Sequence, residues 1–88
     1  MTPISLFYGI IIYMYTDKST EMKVPHIHAV YKEEEVIISL TGDVLDGFMS
    51  PSRLILVQAW RTIHNDDLTA NWHLMMNGNE VFRIEPLR

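Results

Sequence analysis

Apolar and polar residues alternate along this chain in blocks whose period lengthens near residue 50. The first block, ISLFYGIIIYMY (residues 4–15), is apolar at both sets of alternating positions and rich in β-branched and aromatic side chains. That pattern predicts one strand over about 6–15, buried on both faces and therefore central in its sheet. The polar run TDKSTEMK breaks it and reads as a loop. Pro25 holds Val24 extended and opens a second strand over 26–31. KEEE then reads as a solvated charged turn, VIISL as a strand over 36–41, and TGD as a turn. A short strand over 43–46 completes a meander.

From Ser50 onward the apolar spacing lengthens to that of a helix. Ser50 is placed to cap and Pro51 to occupy the first helical position, so a helix is expected over 51–64. Its buried stripe is expected at Leu56, Ala59, Trp60 and Ile63. Asn65 as cap, Asp66 and Asp67 at the positive end of the dipole, and Gly78 as terminator predict a second helix over 66–77. Leu68, Trp72, Met75 and Met76 are its apolar face. EVFRIEP is expected to return as a strand over 80–85, burying Phe82 and Ile84. The elements add up to an α+β domain: a small, mainly antiparallel sheet, two consecutive helices packed on one face, and a C-terminal strand.

With 88 residues there is room for a single domain, 1–88, and 48% hydrophobic content is enough for one core. The first apolar block is too short for a bilayer-spanning helix and lacks the positive start and cleavage site of a signal peptide, so no membrane association is expected. The chain has no cysteine, which excludes disulfides and thiolate metal sites and fits a reducing cytoplasm. A net charge of −4 provides no basic face for phosphates, and the second helix has two aspartates but neither lysine nor arginine. DNA reading by a helix-turn-helix is accordingly not expected.

The candidate chemistry lies in VPHIHAVY (residues 24–31). Alternation along a strand turns His26 and His28 to one face and Ile27, Ala29 and Tyr31 to the other. The second set is apolar and belongs to the core, which leaves the histidines on the less buried face beside a loop. Two imidazoles at this spacing suit a shared divalent metal, or a general acid and base across a scissile bond. A metal needs further ligands, for which His64, His73 and the Glu33–Glu35 run are the available groups. The competing reading is a histidine pair that hydrogen-bonds the preceding loop or a partner. Trp60 and Trp72 face inward as core residues, although Trp72 and Tyr31 are also candidates for contact with a partner. Open sheet edges offer a route to a homo-oligomer or to a complex with another chain.

Taken as an ordered set, ISLFYGIIIYMY, PHIHAVY, GDVLDG, LVQAW and NWHLMMNG followed by RIEPL resemble the bacterial family known as domain of unknown function 4160. Members usually have an aromatic residue between the two histidines, where this chain has Ile27. The resemblance implies a small bacterial protein, often encoded beside another small protein in arrangements suggesting a toxin–antitoxin or regulatory pair. It supplies no activity and no established cofactor. The expected function is a non-enzymatic protein-interaction or regulatory module, with a partner encoded by the neighbouring gene. The alternative is a small hydrolase, acting on RNA, that uses His26 and His28 as catalytic or metal-binding residues.

Overall fold

The computed structural model describes residues 2–16 and 24–88. Five strands come first in the chain: β1 (Ser5–Phe7), β2 (Ile10–Tyr13), β3 (His26–Tyr31), β4 (Glu34–Ser39) and β5 (Val44–Phe48). Two helices follow, α1 (Pro51–Ile63) and α2 (Asn65–Met76). The strands form one antiparallel sheet in the order β1-β2-β3-β4-β5. The α+β class is therefore as expected. The loop expected over TDKSTEMK lies, for residues 17–23, outside the described residues.

The long first strand is in fact a hairpin. Tyr8 and Gly9 both take positive φ, +50° and +79°, the conformation of a tight two-residue turn whose twist matches its flanking strands. β2 is thus an inner strand while β1 becomes an edge. The hairpin was hidden because an uninterrupted apolar run conceals a turn made with only one glycine. KEEE also divides differently. Lys32, at φ +53°, and Glu33 make the turn, while Glu34 and Glu35 already belong to β4, paired with Tyr31 and Val30.

Register assigns the faces. Ile10, Ile12, Ile27, Ala29, Val36 and Ile38 share the face that packs under Val57, Trp60 and Leu68 of the helices. The Phe7 and Trp60 rings lie 5.4 Å apart, centroid to centroid. On α1 the buried residues are Val57 and Trp60, with Leu54 and Leu56 half-buried, while Ala59 and Ile63 are exposed. The expected stripe was thus rotated from the true one. Seating the large Trp60 ring on the sheet fixes the helix's rotation, and Val57, three residues earlier, shares that side. On α2 the buried set is Leu68, Asn71 and Trp72; Met75 is half-buried and Met76 exposed.

Neither expected cap makes its side-chain hydrogen bond. The Ser50 hydroxyl donates to Glu34 Oε2 at 2.6 Å, and the Ser50 N–H donates to Oε1 at 3.1 Å. Asn65 lies inside α2, whose cap is His64, and its amide donates to the Leu40 carbonyl at 3.1 Å. Gly78, with φ +78°, ends α2 as expected.

The C-terminal strand does not form. The Ile84 N–H bonds the Ile4 carbonyl at 2.7 Å, beside the outer edge of β1. The neighbouring backbone groups are claimed by helix side chains instead. Asn71 donates to the Phe82 carbonyl and accepts from the Phe82 N–H, at 2.8 and 2.9 Å, and the Trp60 indole donates to the Glu85 carbonyl at 2.7 Å. Pro86 then has no N–H to offer. The tail is a strap pinned to the helices, with Ile84 buried as expected and Phe82 exposed.

Candidate functional site

β3 positions the histidines as the sequence alternation requires, on the sheet face opposite Ile27 and Ala29. That face is not open around them. His26 is 1% exposed and His28 2%, which corrects the expectation of a less buried face. Aromatic rings provide the cover. The Tyr15 ring stacks on His28 at 3.8 Å and 12°, and the Trp72 ring lies 5.2 Å from His26. The two imidazoles are themselves 5.2 Å apart, edge to face.

Hydrogen bonding fixes one tautomer. His26 Nδ1 lies 2.8 Å from the Val24 carbonyl, which can only accept, so Nδ1 carries the proton. In the neutral ring Nε2 is then a lone pair, buried and without a hydrogen-bond partner among the described residues. His28 Nδ1 lies 3.6 Å from Glu35 Oε2, an ion pair when the ring is protonated. Of the groups expected to complete a metal site, Glu35 is the one beside the pair, and both other histidines are elsewhere. His64 neighbours Asp67, at 3.7 Å, and the Trp60 ring, while His73 is exposed. Among the described residues, no group of three or more His, Asp or Glu could hold a metal ion.

Glu35 links the histidines to the surface. With Tyr13, Tyr15 and Val30 it lines a hollow of about 370 Å³ on the same sheet face. Beyond the hollow, register aligns one row across all five strands: Leu6, Ile11, Val30, Glu35 and Phe48. Leu6 is 53% exposed, Phe48 66% and the Glu35 side chain 53%, with Ile11 and Val30 half-buried between them. The end of this face that holds the histidines is therefore closed, and the other end is open and apolar.

A domain-of-unknown-function model, Domain of unknown function (DUF4160), matches residues 9–73, which span β2 to most of α2. The chain belongs to this family. No curated protein and no solved structure matches it. In this DUF4160 domain both histidines, the hollow and most of the open row fall inside the matched region, while β1 and the C-terminal strap lie outside it.

The remaining candidates divide between the two faces. Tyr31 is on the helix side, half-buried. Its hydroxyl accepts from Arg53 Nη2 at 3.1 Å, and the Arg53 guanidinium lies 3.9 Å from the ring centroid. That hydrogen bond is the main cause holding the Tyr31 phenol below its ordinary value of 10.0. Trp72 is buried in the core, as expected of the tryptophans. The sequence offered Glu34 only as part of a charged turn and as a candidate metal ligand; it instead accepts from Ser50, whose hydroxyl is the chief cause holding its carboxyl below the ordinary 4.5. The sequence reading missed the Leu6–Phe48 row. Only pairing register brings those residues together, so no local pattern pointed to them.

Proposed function

We propose that this DUF4160 domain is a non-enzymatic protein-interaction module that receives a protein partner on the open face of its sheet. The row Leu6–Ile11–Val30–Glu35–Phe48 is the observation that carries this reading. It runs about 19 Å across five strands at ordinary strand spacing, and its two ends are large, exposed apolar side chains. The burial of both histidines speaks against the hydrolytic reading, because a substrate has to reach the imidazole nitrogens. We assign the module to the bacterial cytoplasm and to a toxin–antitoxin-like gene pair. The net charge of −4 suits the neutralising side against a basic partner.

The test is co-expression with the neighbour-encoded protein and measurement of the affinity of the purified pair. Leu6→Ser with Phe48→Ser is expected to weaken association at least tenfold, since exposed apolar anchors dominate such contacts. An unchanged affinity would defeat the reading.

One observation favours the second reading, a histidine-dependent hydrolase with or without a divalent metal. It is the buried lone pair of His26 Nε2. Zinc or manganese titration followed through the histidine ring signals decides it. Micromolar binding that shifts both rings would promote the metal reading, and unmoved rings would remove it.

A further inference from the structure

The hollow beside the apolar row has a chemistry of its own. Two phenol rings, Tyr13 and Tyr15, and the Glu35 carboxylate surround it, with Val30 as an apolar wall. Aromatic faces and an anion together attract an ammonium or guanidinium group, whose charge meets the ring quadrupole and the carboxylate at once. An anionic group would be repelled by Glu35. A neutral group would forgo both attractions.

Among the described residues, the strand positions of the surrounding face carry no positive charge. They are Leu6, Ile11, Tyr13, His26, His28, Val30, Glu35, Ile37, Ser39, Asp46 and Phe48, and none is lysine or arginine. Among the described residues, neither Glu35 nor Asp46 forms an ion pair with a lysine or arginine. Val30 and Glu35 belong to both the hollow and the row, so a side chain seated in the hollow leaves its neighbours lying along Ile11 and Phe48.

We infer that the hollow takes one cationic side chain, a lysine or arginine, from a partner segment that is otherwise apolar and basic. This rests on the docking reading above and adds the chemistry of the partner. Glu35 forms the ion pair, Tyr13 presents its ring, Tyr15, stacked on His28, walls one side of the hollow, and Val30 contacts the methylene stem.

The test uses the full chain and two small probes of nearly the same shape, N-acetyl-arginine methylamide and its neutral citrulline counterpart, with NMR of the tyrosine rings and the Glu35 carboxylate. Arginine is expected to give saturable shifts at Tyr13, Tyr15 and Glu35, with affinity on the order of millimolar for one exposed cation contact. Citrulline is expected to give none. Glu35→Gln, at an exposed position, is expected to weaken arginine binding about fivefold, and Tyr13→Leu to weaken it similarly. Equal shifts from the two probes, or an affinity unchanged in Glu35→Gln, would overturn the inference.

The same variants separate this inference from the docking reading. Partner binding lost in Leu6→Ser with Phe48→Ser but unaltered in Glu35→Gln leaves the docking surface standing and removes the cation site. Partner binding unaffected by the double variant, alongside selective arginine binding, does the reverse.

Discussion

Glu34 illustrates how much one carboxylate can organise. It accepts both the hydroxyl and the N–H of Ser50, so it joins the start of β4 to the start of α1 and engages the hydroxyl that would otherwise cap the helix. Those bonds favour the ionised form, and its folded pKa lies below the unfolded value near 4.5. The sign follows directly: this contribution is present above 4.5 and is lost as pH falls through the depressed folded value. Glu34→Gln should therefore flatten the acid limb of the stability curve below about pH 4.5, measured by urea unfolding at a series of pH values. A wild-type acid limb in the variant would refute the assignment. Tyr31 supplies a second residue-scale prediction. Its phenol ionises below the ordinary 10.0 because Arg53 donates to it. In spectrophotometric titration, an early-ionising phenol that belongs to Tyr31 is expected. Arg53→Met should return it upward, and a titration curve unchanged by that substitution would count against the Arg53 bond.

Among the elements, the C-terminal strap depends most on single side chains. Asn71 is fully buried and satisfies both backbone groups of Phe82, as a paired strand residue would. Asn71→Ala removes both bonds and leaves an N–H and a carbonyl unmatched, at a cost of about 1–3 kcal/mol. Faster amide exchange should appear around Phe82 and Ile84 while β3 and β4 stay protected. Uniform protection across the strap would contradict its pinning by Asn71. Strand β5 has a comparable point of dependence at Gly47. Its φ is +82°, and a Cβ there would lie on the Glu35 carbonyl oxygen, so only glycine lets β5 pair closely with β4 at this position. The sequence pointed to neither dependence. An asparagine in a helix pattern and a glycine before a phenylalanine look unremarkable until the packed neighbours are known.

Across the whole molecule, the two faces of one sheet do different work. The helix-covered face holds the core residues Ile10, Ile12, Ile27 and Ile38 at full burial. The other face is closed at the histidines and open along the Leu6–Phe48 row. Stability and association should then separate by face. Ile27→Ala is expected to cost about 2–5 kcal/mol in unfolding free energy through the cavity it leaves. Leu6→Ser with Phe48→Ser should change stability by no more than about 1 kcal/mol while weakening partner binding. Chemical denaturation set beside the binding measurement checks this, and a double variant that unfolds as readily as Ile27→Ala would show that the row is structural.

The sequence by itself determined the α+β class, strand β3 at its full extent, both helices to within a residue at each end, and the DUF4160 family. These are carried by periodicity, by Pro51 and Gly78, and by ordered motifs, all of which act within a few residues. Tertiary structure decided the rest. It set the turn inside the first apolar run, the rotation of α1 about its axis, and the tail as a strap in place of a strand. It also buried His26 and His28 and aligned Leu6 with Phe48 across four strand pairings. The physical reason is the same for each. Burial and register are set by contacts between residues far apart in the chain, and alternation can say that two residues share a face without saying what covers it.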